Sequence, residues 1–364
     1  MVIAVSNFIL NSCLVNYANV MGLQEDTGIN GDQYSELATV FYVTYLAFEF
    51  PTGYLMQRLP TAKYLGGNVI LWGLMVACNS AAHNWGGLVS LRVLLGCFES
   101  AVAPALILLT TMWYKRSEQP ARVGFWYVGT GVGKMVGAIT SFGFQHYTGN
   151  DFKSWQIMFL VFGVITIFVG ILVIIFVPDN PMTAKGFTQE EKVWAIERLR
   201  SNLTGVENKH IKRHQIFECF KDPQTWILTL IVLTSNIPNG FISSYQATVI
   251  KSFGWTSKET ALLSIPSGAI ACICTLSASW FAGRFNLRGP MIILLLSFGF
   301  LGSCLMAFLP EDGSVAGKMV GNYFANTIGS SLPLMYSYAG ANYAGHTKKV
   351  TMNAIVLISF CAYF

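Results

Sequence analysis

With 364 residues, 53% of them hydrophobic and only 11% charged, the chain lies far below the roughly 25% charge of a soluble domain. That composition excludes a water-soluble enzyme or nucleic-acid binder and leaves a membrane protein with many spans. The net charge of +5 acts as a topology signal, because the basic residues gather in particular loops.

Apolar runs of about 20 residues recur along the chain. They predict spans at 1–23, 33–57, 64–82, 86–113, 122–146, 155–177, 225–250, 259–283, 288–309 and 316–340. An eleventh begins near 351 and meets the chain end at Phe364, too soon to cross a ~30 Å core at 1.5 Å per residue. Met1 opens directly into an apolar run, so no cleavable signal peptide is expected. The eight cysteines form no CxxC or Cys/His cluster and read as small buried hydrophobes, with no disulfide framework and no metal site. The five histidines all fall in or beside loops.

Seventeen Lys and Arg lie in alternate loops. Arg58 and Lys63 follow span two; Lys115, Arg116 and Arg122 follow span four; eight more occupy 178–223; Arg284 and Arg288 follow span eight. Lys348 and Lys349 complete the set. The positive-inside rule places these loops and the amino terminus in the cytoplasm.

Residues 178–223 form the only long polar stretch, which divides the chain into an amino-terminal six-span part (1–177), a central cytoplasmic loop (178–223) and a carboxy-terminal part (224–364). Thr188-Gln189-Glu190-Glu191 reads as a capping box, followed by Val193, Ile196 and Leu199 at helical spacing. An amphipathic helix against the cytoplasmic face is expected there. Asn202-Leu203-Thr204 matches a glycosylation sequon by pattern, unused if cytoplasmic. A weak repeat links GYLMQRLPTAKY (53–64), between spans two and three, with SWFAGRFNLRGP (279–290), between spans eight and nine. Such a layout fits a transporter with two parallel halves.

Span four carries Arg92, Gly96, Glu99 and Pro104, then Trp113-Tyr114-Lys115-Arg116. Together with GLQEDTGINGDQYS (22–35), FEFPTGYLMQRLPTAKY (48–64), VPDNP (177–181), SNIPNGFISSY (235–245), LLSIPSGA (262–269) and GHTKKVTMNA (345–354), this resembles the major facilitator superfamily. Within it the motifs are similar to the fungal anion:cation symporters of the allantoate permease type. The resemblance covers almost the whole chain. It implies an all-α membrane protein of two six-helix halves, the second truncated, with 10–11 of the twelve spans present. It also implies proton-coupled symport of carboxylates such as allantoate, ureidosuccinate or nicotinate by alternating access at the plasma membrane, with the lipid bilayer, the anion and protons as partners. A monomer without cofactor is expected. Two departures stand out: Asn11 and Ser12 align where the family carries charges in span one, and Gln57 precedes Arg58 where the superfamily often has an Asp.

Charges inside a bilayer cost at least ~2.5–3.5 kcal/mol each and mark function by default. Glu99 lies ~20 Å along its helix from Trp85, and Lys134 ~18 Å from Arg122, which puts both near the midplane on consecutive antiparallel helices. Arg92, seven residues before Glu99, shares its face. Lys134, with Arg92, is expected to attract an organic anion, and Glu99 to carry the compensating proton. The competing expectation is a structural ion pair between Arg92 or Lys134 and Glu99. Asn236 and Asn239 beside Pro238 in span seven, Asn326 in span ten and Tyr45 in span two are further substrate-lining candidates. Pro238 and Gly240 are expected to break span seven, and Gly129, Gly133 and Gly137 to pack span five closely. Arg58, Arg116, Arg284 and Arg288 read as loop residues that gate or brace the fold. Glu49, ahead of Pro51, is expected to hydrogen-bond around the loop ends.

Three other classes compete with this reading. An intramembrane enzyme needs a GxSx or HExxH site or paired aspartates within spans, and the sequence has none. Midplane charges on a two-part architecture argue against a channel or receptor. A truncated copy or incomplete gene model without transport is the alternative to an active symporter.

Overall fold

The computed structural model describes residues 14–115, 118–147, 152–182, 184, 186–200, 213–309, 315–343 and 346–361. Asn11, Ser12, Arg116 and the Asn202 sequon lie outside them. The described residues are helical throughout, with no strand among them.

Residues 14–20 are helical and belong to span one. The later spans follow in order: two (Gly31–Arg58), three (Thr61–Cys78), four (Trp85–Glu99, then Val102–Trp113), five (Gln119–Tyr127, then Gly129–Phe144) and six (Ser154–Phe176). Span seven is Pro223–Ser252, eight is Ser257–Leu263 with Ile265–Phe285, nine is Arg288–Phe308, and eleven is His346–Cys361. Span ten runs as Val315–Ala325, a 3₁₀ turn at Ile328–Ser331, and Leu332–Asn342. Five helices among these are long and apolar enough to cross a membrane by length and composition alone: Trp85–Trp113, Ser154–Phe176, Pro223–Ser252, Ser257–Phe285 and Arg288–Phe308.

The bundle buries polar side chains within an apolar core and turns large apolar side chains outward. Phe300 is 70% exposed and Ile175 65%, whereas Asn236, Asn322, Thr275 and Ser141 are buried. An outer surface of this kind has no place in water and suits hydrocarbon.

Small residues set the helix approaches. A Cβ on Gly73 would lie 2.8 Å from the Ile167 nitrogen, and one on Gly163 2.5 Å from the Ala77 nitrogen, so spans three and six touch backbone to backbone. Gly96 lies against the Phe41 carbonyl of span two in the same way, at 2.6 Å from an added Cβ. Spans five and eight cross where Gly131 meets Gly268: a Cβ on Gly131 would be 2.4 Å from the Gly268 oxygen. Gly129, Gly133 and Gly137 are buried in the same helix as Gly131, which makes the close approach to span eight.

Short loops repeat at the basic end. Two residues, Leu59 and Pro60, join spans two and three; two residues, Asn286 and Leu287, join spans eight and nine, with Asn286 left-handed at φ 55°. Those are the loops that the sequence repeat pairs. The capping box forms as expected: Thr188 N–H donates to Glu191 Oε2 (2.8 Å) and Glu191 N–H to Thr188 Oγ1 (3.3 Å), opening helix Gln189–Arg200. Its inner face differs from expectation, since Ile196 and Leu199 are half-buried while Val193 is exposed. An Arg198–Glu118 ion pair and a Trp113–Phe187 edge contact (6.1 Å) tie this segment to the end of span four.

Span seven also departs from expectation. It is one unbroken helix with Pro238 inside it. Proline removes only its own N–H, and neighbouring helices support the rest. Span eleven starts at His346, about five residues earlier than the apolar run suggests. Lys348 therefore sits in the first turn of a helix, where a cation opposes the dipole, and Glu218 (3.8 Å) and the Tyr343 ring (5.8 Å) compensate it.

Candidate functional site

Several helices break at a shared level, and each break has a local cause. In span four the helix stops at Glu99 and resumes at Val102. Pro104 cannot donate to the Ser100 carbonyl four residues earlier, so the turn there opens. The Ser100 side chain braces the opened turn, its Oγ donating to the Cys97 carbonyl (2.8 Å) and lying 3.2 Å from Thr52 Oγ1 of span two. Span five breaks at Val128, next to Gly129, and span ten around Gly329, whose carbonyl Pro333 cannot cap. Irregular backbone at membrane depth is stable only inside protein or beside a cavity.

A cavity of about 1010 Å³ lies at these breaks. Glu99 and Ala103 of span four, Tyr42 and Tyr45 of span two, and Thr130 and Lys134 of span five contribute to its wall. Asn239 and Ser243 of span seven and Asn326, Gly329 and Ser330 of span ten complete the polar part. The Lys134 ammonium donates to Asn326 Oδ1 at 2.6 Å, joining span five to span ten across the cavity. Asn326 is held in turn by its own Nδ2 bond to the Asn322 carbonyl (2.8 Å). Tyr17 O–H donates to the Lys134 carbonyl (3.0 Å) and fixes the backbone under the ammonium.

The predicted residues thus separate. Lys134, Asn239, Asn326, Tyr45 and Glu99 share one cavity. Arg92 does not: it lines a neighbouring pocket of about 640 Å³ with Asn16, Tyr34, Trp72 and Ser244, and Glu99 and Tyr42 belong to both walls. Glu99 therefore stands between Arg92 on one side and Lys134 on the other. Asn236 is a correction. It is buried away from the cavity, donating to the Val232 carbonyl of its own helix (2.7 Å) and accepting from Asn239 Nδ2 (3.2 Å). It positions Asn239 and lies behind it.

Trp126, Tyr127, Tyr336 and Phe360 also line the cavity, and sequence reading passed over them. Their signal was an aromatic pair just before a glycine-rich helix, and a tyrosine three residues after Pro333. Among the loop arginines, Arg58 stacks on Tyr54 (4.6 Å), Arg284 is exposed and Arg288 is half-buried. Glu49 is 2% exposed and, contrary to expectation, its Oε2 has no hydrogen-bond partner among the described residues.

Contacts between the amino-terminal and carboxy-terminal spans occur on both sides of the cavity. On the side away from the basic loops, Ser35 Oγ and Tyr245 O–H are hydrogen-bonded at 2.8 Å, and Tyr34 meets the same ring at 6.3 Å. On the basic side, Gly124 abuts Ser279, and Gln119 is buried against Gly340.

Outward-facing apolar helices around a polar, charged central cavity define an integral membrane transporter. The family model of the Major Facilitator Superfamily matches residues 1–362, and the chain belongs to that family. Among curated proteins it is 36% identical over 355 residues to a thiamine pathway transporter of Saccharomyces cerevisiae, covering 96% of this chain and 67% of that one. It is 35% identical over 358 residues to the allantoate permease of the same yeast, covering 95% and 66%. The chain thus spans about two thirds of the length of these relatives. Among solved structures it is similar to a proton:xylose symporter with TM-score 0.75 at 14% identity, over all of this chain and 85% of that one. A bacterial homologue of the lysosomal transporter Spinster superposes with TM-score 0.68 at 16% identity, over 98% and 76%.

Proposed function

We propose that this chain carries a small organic anion across a membrane together with protons, by alternating access. The observation that carries the reading is the Lys134 ammonium, set in the wall of the central cavity and hydrogen-bonded across it to Asn326. A cation at that depth costs free energy unless it has a use, and an arriving carboxylate supplies one. Aromatic walls from Tyr42, Tyr45, Trp126 and Tyr336 suit a flat or ureido-bearing acid. Glu99 lies on the same cavity and accepts the proton that offsets the transported charge. The allantoate permease, as a relative, supports a carboxylate substrate. In this reading the basic loops and the 178–223 segment face the cytoplasm, the two sets of spans rock about the cavity, and the transporter works as a monomer in the plasma membrane.

The test is uptake of labelled allantoate and a panel of other labelled carboxylates by a fungal strain lacking its own anion permeases. Expression of the chain should give uptake that rises at acidic external pH and collapses with a protonophore. Uptake that is insensitive to both treatments would refute proton coupling, and no uptake of any carboxylate at normal surface expression would refute the substrate class.

A further inference from the structure

A second carboxyl group lies on the basic-loop side of the central cavity. Glu49 faces a smaller cavity of about 410 Å³ lined by Gly53, Met56, Pro104, Leu108, Asn353 and Ala354. None of these lining residues, contributed by spans two, four and eleven, is titratable or charged. The carboxyl is buried, and its Oε2 meets no hydrogen-bond partner among the described residues. An ionised carboxylate stripped of water without a partner is far costlier than the neutral acid. The closed contact therefore accommodates the protonated form.

The two cavities are stacked along the same three helices. On span two, Tyr42 and Tyr45 face the central cavity, and Glu49, Gly53 and Met56 continue that face into the smaller one. On span four, Glu99 and Ala103 lie above and Pro104 and Leu108 below. On span eleven, Leu357 and Phe360 lie above and Asn353 and Ala354 below. One turn from Glu49, Thr52 is hydrogen-bonded to Ser100, the residue after Glu99 (3.2 Å). Spans two and eleven come from opposite ends of the chain, so a change in their contact opens or closes the smaller cavity.

We propose that Glu49 is a second proton-binding site, placed between the central cavity and the basic-loop end, neutral while spans two and eleven touch and ionised when they part. The proposal deepens the proton-coupled reading above and rests on it for its role in transport. The Glu49–H bond breaks to give carboxylate, and water on the basic-loop side takes the proton; no redox partner is involved.

Infrared difference spectroscopy of the purified full chain in lipid tests the protonation directly and needs no substrate. A carbonyl stretch of a buried protonated carboxyl should be present at neutral pH, absent in Glu49→Gln, shifted in Glu49→Asp, and retained in Glu99→Gln. A spectrum unchanged by Glu49→Gln and Glu49→Asp overturns the proposal. A second arm uses labelled allantoate in proteoliposomes. Across a pH gradient of about one unit, Glu49→Gln should reduce accumulation by about tenfold, the factor one coupled proton supplies, with Glu49→Asp recovering part of it. Full gradient-driven accumulation by Glu49→Gln also overturns the proposal. If the wild type moves none of the labelled carboxylates, the substrate reading fails while the infrared result still decides Glu49.

Discussion

Removing the ammonium at position 134 is the sharpest perturbation of the cavity. Lys134→Ala deletes a charged hydrogen bond to Asn326 (2.6 Å) and the cation nearest an incoming anion. A carboxylate about 4 Å from the ammonium gains ~4 kcal/mol at an effective dielectric of about 20. Desolvation of the anion offsets part of this, and Asn326 Oδ1, freed from Lys134, recovers about 1 kcal/mol by accepting from water. A net loss of about 3 kcal/mol corresponds to roughly a hundredfold rise in KM at 1.36 kcal/mol per decade. Lys134→Arg should keep most of the attraction with an altered reach, and Asn326→Ala should cost much less than the loss of the charge. The assay is initial-rate uptake of labelled allantoate, or of whichever carboxylate the wild type takes up, normalised to surface expression. A KM for Lys134→Ala within about twofold of wild type would refute the placement of the anion at this ammonium.

Three further outcomes follow from packing and charge. Gly131→Leu forces a side chain into the Gly268 carbonyl and Cys272 sulfur, at 2.4 and 2.5 Å from the first added atom, and overpacking of this kind costs about 1–3 kcal/mol; a thermal-shift assay in detergent should show a lower Tm, whereas Gly143→Ala, with open space around it, should not. Asp26 accepts from the indole N–H of the buried Trp155 (2.9 Å) and pairs with exposed Lys153 (3.2 Å). Asp26→Ala leaves that N–H unsatisfied, a loss of about 1–3 kcal/mol, while Asp26→Asn should retain most of the stability in the same melting assay. Burial alone would raise the Glu118 carboxyl, but the hydrogen bond from Arg198, the Lys115 N–H and the charges of both hold it below the usual glutamate range. A depressed carboxyl stabilises the fold above its unfolded value of about 4.3 and loses that contribution as pH falls through the folded one. The pair is largely solvated, so Glu118→Gln should cost less than about 1 kcal/mol at neutral pH, and the difference between variant and wild-type melting curves should vanish in acid.

Much of this arrangement was legible in the sequence, and the remainder has physical reasons for having been hidden. Helical spacing and hydropathy locate a side chain in depth, which is why Glu99 and Lys134 can be assigned to one level from the sequence. Depth says little about azimuth. Arg92 and Glu99 lie on one helix face and share one pocket, yet only Glu99, two turns further along, also reaches the central cavity. Asn236 turned inward because its amide found a carbonyl in its own helix, a competition that composition cannot settle. Pro238 read as a break, but a proline costs a helix one hydrogen bond, and thirty residues of packing kept span seven whole. The capping box at Thr188 was readable because both partners lie within one turn. The bond between Asp26 and Trp155, across 129 residues, left no local trace.

The contact between spans three and six has a mechanical consequence. Its interlocked surfaces at Gly73, Gly163 and Ala77 are main chain against main chain, so there are no rotamers to exchange and no slack to take up. Such a joint behaves as a weld: it transmits a displacement and absorbs none. Compliance is left to joints made of single reversible bonds, such as Ser35 with Tyr245 or Lys134 with Asn326. Stiffness and give are thus allotted to different helix pairs, and one of the giving joints, Lys134 with Asn326, borders the cavity.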